Sequence, residues 1–267
     1  IASGDAQIVV TEASNPASIL MRSTTITFPA GASLYFTIVD DAGLGFADIS
    51  VIVSGAANFA LVDQNLQSSI RVINAISDRS PLDFGIDGDL DPPLLPNVDF
   101  GTFTDYTFID AGMPNFTATP AGNPSVIELD LPFEANAGRF ETIFIAGNPG
   151  DASGAISIDD LRPIIGEAKM NFFNGAGLFL FVEFFVVPPG TDITGELPTA
   201  SLQSRGATSN LAIAPGEYEL SIRDAFSATI LGGPISLTLE EGGFYTVLIT
   251  DATGGATVDI TLFDDFN

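Results

Sequence analysis

The sequence contains no cysteine, no histidine and no tryptophan, and Lys169 is its only lysine. Without cysteine and histidine, the chain cannot form a disulfide, a thiolate or imidazole metal site, or a catalytic centre with a histidine general base. Only 8 Lys and Arg residues oppose 34 Asp and Glu residues, so the formal net charge is -26. Because nucleic-acid affinity depends mainly on cations that neutralise phosphates, this composition predicts no nucleic-acid partner.

Long apolar runs are also missing. The most apolar stretch, Leu178–Val187, contains Glu183 and is followed by two prolines. It is far shorter than the roughly 20 residues of a membrane-spanning helix, so we predict no membrane span. Hydrophobic residues nevertheless make up 46% of the chain and charged residues only 16%, a balance that excludes disorder. Such a chain either has several small cores or buries apolar surface against copies of itself.

The composition also indicates where the protein resides. The chain begins at Ile1 rather than at methionine, which is typical of a processed form or a fragment. An acidic, lysine-poor and cysteine-free composition suits the saline exterior of a cell. We therefore expect an extracellular or cell-surface location.

The pattern of apolar residues predicts strands and almost no helix. Short runs of β-branched and aromatic residues, such as Arg139–Ala146 and Phe244–Thr250, alternate with turns rich in Gly, Pro, Asn and Asp. Many short strands without intervening helices predict an all-β chain of tandem Ig-like antiparallel β-sandwich modules. A short helix is expected only near residues 58–65.

An internal repeat defines the modules. An aromatic-led strand after a glycine turn recurs at Leu34–Val39, Phe140–Ile145 and Phe244–Ile249, and an alternating strand follows each copy. The copies lie about 105 residues apart, close to the roughly 100 residues of one Ig-like sandwich. The preceding half of the module aligns only twice, and both copies open with a strand that ends at an asparagine, Asn74 or Asn174.

These copies predict the domain organisation: a partial β-sandwich module at 1–57, a linker at 58–67, and full modules at 68–165 and 166–267. Half a sandwich exposes an apolar face and unpaired strand edges, which something must cover. Three alternatives are open: an upstream portion of the chain, packing on the second module, or a strand from a neighbouring subunit.

The middle module opens with Ile70–Ala75, Ser77, Asp78, Pro81–Asp83 and Ile86–Gly88, and continues with Phe100, Gly101, Tyr106, Ala111, Gly112 and Gly138–Ile143. With these residues it resembles the secreted family known as domain of unknown function 4397. The resemblance implies an exported, β-rich protein, often built of tandem modules and attached to a bacterial or archaeal surface, with no assigned activity. It covers residues 68–165 well and 166–267 loosely, because the Phe-rich run replaces the Pro-Asp portion of the third module.

Carboxylates are the main candidates for binding chemistry. Asp87, Asp89 and Asp91 form the densest acidic cluster, and alternation in an extended segment would point all three to one side. Carboxylate oxygens are the ligands that Ca²⁺ prefers, so we consider a calcium site here. The spacing departs from an EF-hand loop at Pro92 and Val98, and a solvated acidic turn is the alternative. No other cofactor is expected.

The Phe-rich run around Leu178–Val187 has two interpretations. It could form buried strands that fill a tryptophan-free core, or strands with apolar faces for both a core and a subunit contact. The candidate interface residues are Phe179, Phe181 and Phe184, together with Ile8 and Val10 of the partial module.

Three classes of function are compatible with these patterns. The one we favour is a non-enzymatic extracellular structural protein that assembles with copies of itself into a filament, sheath or surface layer. In this model a neighbouring subunit completes the N-terminal module. The second is a surface adhesin or a glycan- or protein-binding module, with or without calcium. The third, a hydrolase with only carboxylates, lacks any pattern that pairs two of them.

Overall fold

The structure is a computed structural model that describes residues 3–40, 49–55, 59–77 and 80–264. These residues form 23 strands and a single 3₁₀ turn, Ile193–Gly195, and no α-helix. The all-β prediction is confirmed. The helix expected near residues 58–65 is wrong, because Phe59–Leu61 is a strand. In the part of the chain described, no helix is long and apolar enough to cross a membrane.

The chain divides into two compact units. The first contains residues 1–70, 106–113 and 134–141, and the second contains residues 71–105, 114–133 and 142–267. Strands that begin in one unit continue into the other, so the domain boundaries predicted from the repeats stay a prediction.

Seven short strands make up the N-terminal part of the first unit. β1 pairs with β4, β2 with β3, and β5, β6 and β7 form a three-stranded sheet in that order. Their core contains Met21, Val51, Val53 and Leu61. Because Leu61 lies on β7, part of the predicted linker belongs to this core. The strands are β1 (Gly4–Ala6), β2 (Val9–Glu12), β3 (Asn15–Arg22), β4 (Ile26–Phe28), β5 (Tyr35–Asp40), β6 (Ile49–Ser54) and β7 (Phe59–Leu61).

The next eight strands form two four-stranded sheets. The orders are β10-β9-β12-β13 and β11-β8-β14-β15. The strands are β8 (Ser68–Ile76), β9 (Leu82–Ile86), β10 (Leu95–Val98), β11 (Thr107–Ile109), β12 (Asn115–Pro120), β13 (Leu129–Pro132), β14 (Phe140–Asn148) and β15 (Asp151–Asp159).

The last eight strands repeat this arrangement. Their sheets have the orders β18-β17-β20-β21 and β19-β16-β22-β23, so each strand corresponds to the one eight places earlier. The strands are β16 (Ala168–Asn174), β17 (Phe181–Val187), β18 (Ala200–Gln203), β19 (Leu211–Ile213), β20 (Gly216–Asp224), β21 (Ile230–Leu239), β22 (Phe244–Asp251) and β23 (Val258–Asp264).

The pairing of β16 with β22 departs from the predicted antiparallel arrangement. β16 pairs with β22 in parallel, from Lys169 opposite Phe244 to Asn174 opposite Ile249. A parallel pair requires a long connection between its strands, and here five other strands separate the two in sequence. The first strand of the module is therefore inserted beside its seventh.

The two asparagines at the strand ends join the two sheets of each sandwich. The Asn74 amide on β8 donates to the Val98 carbonyl of β10 at 3.0 Å, and the Asn174 amide on β16 donates to the Leu202 carbonyl of β18 at 3.4 Å. Each side-chain oxygen also accepts the backbone N–H two residues later. Both asparagines are fully buried, so their hydrogen bonds satisfy polar groups that would otherwise be costly.

Candidate functional site

The densest buried polar cluster lies within the second unit and joins the two repeated sets of strands. The Arg71 guanidinium lies 3.5 Å from the Asp159 carboxylate, and both side chains are almost completely buried. Asp159 also accepts hydrogen bonds from the Thr142 hydroxyl and the Asn171 amide. Arg71 donates to Thr142 at 2.7 Å and to Thr246 at 3.3 Å. With partners on all sides, this cluster has a structural role rather than that of an open site.

Apolar residues surround this cluster. Ile73 and Phe144 of one sandwich form a common core with Phe173 and Leu248 of the other. The Phe144 and Phe173 ring centroids are 5.2 Å apart. These sheet faces therefore bury apolar surface against each other as well as within their own sandwiches.

The single lysine is also used structurally. The Lys169 ammonium lies 2.9 Å from the Asp160 carboxylate and donates to the backbone carbonyls of Asp160 and Arg162. Burial raises the pKa of Asp160, but hydrogen bonds from Arg162 and Lys169 outweigh it and hold this pKa below its usual value. The lysine is thus held in an ion pair and is not a free nucleophile.

The acidic segment at Asp87–Asp91 is a turn rather than an extended strand. Asp87 has a φ of 52° and Gly88 a φ of 77°, so the alternation assumed from the sequence is wrong. The Asp87 carboxylate accepts the Asn115 N–H at 2.8 Å, and Asp89 accepts the Asp91 N–H at 3.5 Å. Among the described residues, no three acidic side chains form a group that could hold a metal. Calcium binding stays a prediction that this geometry does not support.

The Phe-rich run supports the core interpretation. Phe184 is completely buried, with its ring centroid 4.9 Å from that of Phe172, so its assignment to a subunit interface is wrong. Phe185 points to the opposite face and is also buried. The Arg223 guanidinium covers its ring at 4.4 Å, while Arg223 is held by Glu183 and the Ile193 carbonyl. Both faces of β17 are therefore covered within the chain.

Two other candidate residues of this run lie near the surface. Phe179 packs against the core of the third sandwich. Phe181 is partly exposed, and its ring meets the highly exposed Phe226 edge to face, with centroids 5.8 Å apart. A subunit contact at these residues stays a prediction.

The remaining interface candidates are half-buried. Ile8 and Val10 pack against the N-terminal core, whereas Val9 between them is exposed. Most of the apolar surface of Ile8 and Val10 is thus used inside the chain, and their contact with another subunit also stays a prediction.

β5 is rich in apolar residues, yet several of its side chains are exposed. It contains only uncharged residues up to its last one, Asp40. Tyr35 is 68% exposed and Ile38 is 60% exposed. Among the described residues β5 pairs with β6 alone, so its other edge is open. We call this strand and its free side the β5 edge.

The turns before the repeated strands establish which residues correspond. Gly31, Gly138 and Gly242 have φ values of 72°, 71° and 77°. Each turn is closed by a hydrogen bond from the N–H of the next residue to the carbonyl two residues before the glycine, at 3.5, 3.2 and 3.1 Å. Ser33 therefore corresponds to Phe244, and the sequence alignment that placed Leu34 there is wrong by one residue.

This correspondence shows that β5 lacks a cover on its inner face. Phe36 and Ile38 lie opposite the buried Val53 and Val51 of β6, so they face the N-terminal core. Their counterparts on β22 are Val247 and Ile249, which are 0% exposed, whereas Phe36 is 37% exposed. Val247 and Ile249 share a core with Phe184 and other residues of the facing sheet. In addition β16 flanks β22, whereas among the described residues β5 pairs with β6 alone.

A recess lies at the beginning of the β5 edge. It has a volume of about 380 Å³. Phe28 and Phe36 meet beside it with ring centroids 6.0 Å apart. A recess next to an open strand edge can accept a side chain and a backbone together. Its lining residues are Phe28, Pro29, Ala32, Ser33, Leu34, Tyr35 and Phe36.

The repeat pattern predicted a partial N-terminal module, but it did not indicate that β5 would be exposed. The signal was available, because the first copy of the repeat contains the aromatic-led strand without the first strand of the module. Exposure could not be read from the sequence, since the same apolar pattern is buried in β14 and β22.

The fold is a chain of repeated β-sandwiches, and among the described residues β5 lies at an edge of the N-terminal three-stranded sheet. Residues 68–178 match the model of the family described as "Domain of unknown function (DUF4397)". The match covers less than half of the chain and confirms the resemblance seen in the sequence. No curated protein matches the chain.

A solved structure is also similar to this chain. It is described as that of a proposed cell adhesion protein from Bacteroides uniformis ATCC 8492, and the two chains are 9% identical. The similarity covers 74% of this chain and 98% of that one, with a TM-score of 0.23. At these values the likeness carries no argument about function.

Proposed function

We propose that the protein is a non-enzymatic extracellular structural subunit whose copies assemble by adding a strand to the β5 edge. One observation carries the proposal: Phe36 and Ile38 are exposed on β5, while the counterparts on β22 are completely buried. Among the described residues, β5 thus has no counterpart of the strand β16 that flanks β22.

Addition of a strand would change both the free backbone groups and the exposed inner-face side chains of the β5 edge. A new strand pairs with the free backbone groups and covers the inner-face side chains. Complete burial of a large apolar side chain contributes about 1.5–3 kcal/mol, so Phe36 and Ile38 together could supply a few kcal/mol. The entropy lost when the incoming segment becomes ordered, and when two copies lose independent translation and rotation, opposes this gain. The edge therefore favours association at high local concentration.

The geometry of the contact determines the type of assembly. One copy offers the β5 edge and its neighbour offers a different segment, so the contact is heterologous. Contacts of this kind propagate into an open filament unless they close into a ring. An acidic, cysteine-free composition supports an extracellular location for such an assembly.

Matched lysine substitutions test this function. Ile38→Lys places a charge on the β5 edge, and Ile165→Lys places the same charge at a residue that is 91% exposed and outside any strand. We expect the parent and Ile165→Lys proteins to assemble as concentration rises, and Ile38→Lys to remain monomeric. Light scattering after size exclusion and electron microscopy measure the outcome. A parent protein that stays monomeric at high concentration, or an Ile38→Lys variant that assembles like the parent, would show the proposal to be wrong.

A further inference from the structure

The middle sandwich (β8–β15) and the third sandwich (β16–β23) meet through equivalent sheet faces. Ile73 of β8 corresponds to Phe173 of β16, because each lies one residue before the buried asparagine of its strand. Phe144 of β14 corresponds to Leu248 of β22, because each lies six residues after the glycine of the preceding turn. All four side chains are completely buried in one common core. Each face of this junction therefore packs against its own equivalent.

The flanks of the junction match in both directions. Phe103, which lies before the fourth strand of the middle sandwich, contacts Phe263 on the last strand of the third, with ring centroids 3.8 Å apart. In the opposite direction, Asn210 lies before the fourth strand of the third sandwich, and its amide donates to the Ile158 carbonyl on β15 at 2.8 Å. The junction is thus approximately symmetrical. A symmetrical junction allows each face to pair with a copy of itself, unless particular side chains prevent it.

Polar residues at the centre of the junction break this symmetry. Arg71 of β8 corresponds to Asn171 of β16, because each lies three residues before the buried asparagine of its strand. Asp159 of β15 accepts a hydrogen bond from a threonine of β14, and the equivalent position on β23 is Phe263, which lies opposite the equivalent threonine of β22. One face therefore provides a guanidinium and a carboxylate, and the other provides an amide and an aromatic ring.

These unlike residues complement one another across the junction. The Asn171 amide donates to the Asp159 carboxylate at 2.8 Å. The Arg71 guanidinium donates to the Thr246 hydroxyl of the third sandwich at 3.3 Å and lies 5.9 Å from the centroid of the Phe244 ring. The carboxylate thus receives a guanidinium from its own face and an amide from the facing one.

Either face paired with its own copy would lose this match. Two middle faces would bring a second Arg71 into the space of the smaller Asn171, and Asp159 would replace Phe263 beside the Phe103 ring. Two third faces would place Phe263 where Asn171 now finds a carboxylate, which leaves a buried amide without that acceptor. Both alternatives carry a cost that the observed pairing avoids, and such costs determine which partner is chosen.

We propose that Arg71, Asp159 and Asn171 select the partner of this sheet face, so that the two sandwiches of one chain pair with each other and not with the same sandwich of another copy. The inference goes beyond the proposed function and does not depend on it, because strand addition at β5 uses other residues. Where many copies lie close together, this selection keeps the junction within each chain.

Cleavage between the two sandwiches tests the pairing in the full chain. Ile165 in their connection is 91% exposed, so a protease site inserted after it can be cut in the folded protein. The protein also carries Ile38→Lys, which removes association at the β5 edge. We expect the pieces 1–165 and 166–267 to remain together as a 1:1 complex, measured by sedimentation velocity over a dilution series. Pieces that separate at micromolar concentration, or that form pairs of identical pieces, would overturn the proposal.

Reciprocal substitutions in the cleaved protein test the selection itself. Asn171→Arg should weaken the complex about tenfold or more, because a second guanidinium meets Arg71. Adding Arg71→Asn restores one guanidinium and one amide around Asp159 and should recover most of the affinity. Asn123→Arg, in an exposed connection of the middle sandwich, is the matched control and should leave the affinity unchanged.

The double variant separates partner selection from folding. A third sandwich that Asn171→Arg had merely unfolded would not be rescued by a substitution in the other piece. If Asn171→Arg pairs as tightly as the parent, or if Arg71→Asn fails to restore the complex, the proposal is wrong.

Discussion

Replacing Asp159 by alanine should destabilise the second unit more than replacing an exposed carboxylate would. The change removes the carboxylate 3.5 Å from the buried Arg71 guanidinium. It also removes the acceptor of the Asn171 amide, which donates to Asp159 at 2.8 Å. Breaking a buried ion pair by deleting one partner costs about 3–5 kcal/mol, because the remaining buried charge loses the attraction of that partner. We expect a loss of this size in the free energy of unfolding.

Asp151→Ala is the matched control. Asp151 pairs with Arg205 at 2.8 Å, but its side chain is 76% exposed. A solvent-exposed pair of this kind contributes about 0–1 kcal/mol, so the control should remain close to the parent. Urea unfolding followed by far-UV circular dichroism, with the fluorescence of the four tyrosines as a second probe, measures both variants.

A second substitution separates lost charge pairing from lost packing. Arg71→Met in the Asp159→Ala background removes the buried guanidinium while keeping a long apolar side chain, and should recover part of the lost stability. If Asp159→Ala and Asp151→Ala have equal effects, or if Arg71→Met destabilises the Asp159→Ala protein further, the reasoning about this buried pair is refuted.

Three further predictions follow from the structure. Asn74→Ala and Asn174→Ala should each lower the free energy of unfolding by about 1–3 kcal/mol, because each leaves buried backbone groups without a partner. Urea unfolding measures both variants, and an effect at only one site would contradict the equivalence of the two sandwiches. The pKa of Asp160 is held below its usual value, so its ion pairs stabilise the folded state above about pH 4 and are lost as pH falls through the folded pKa. The melting temperature of Asp160→Asn should therefore fall less steeply than that of the parent below about pH 4, and parallel acid titrations would contradict this. With a net charge of -26, copies repel one another, so assembly measured by light scattering should increase from low to near-molar salt, and a flat response would count against it.

Much of the fold could be predicted from local sequence patterns. Alternating apolar residues and glycine turns predict strands wherever they occur, because side chains on a strand point to opposite faces with a period of two. The paired asparagines Asn74 and Asn174 marked equivalent strand ends, and the structure shows them making equivalent bonds. The family resemblance was visible for the same reason, since its motifs lie on these strands and turns.

The apolar residues that are buried within the chain could not be distinguished in this way from those available to a partner. Phe184 and Phe185 are adjacent apolar residues, so both faces of this strand are apolar. The sequence alone does not show whether the second face is covered within the chain or by a partner subunit. The structure covers Phe185 with Arg223, which follows it by 38 positions in the chain and is brought beside it by the pairing of β17 with β20. Likewise, the acidic residues of Asp87–Asp91 alternate in sequence, but the positive φ at Asp87 turns the backbone and removes that alternation.

The sequence by itself determined most strands and their turns, because these depend on residues close together in the chain. Only the tertiary structure decided which equivalent strands are covered. The strands β5 and β22 have similar apolar patterns, yet β22 is buried and β5 is open. The physical reason is that burial depends on neighbouring strands. On β22 one neighbour is β16, whose residues precede their partners by 75 positions in the sequence, as Lys169 precedes Phe244.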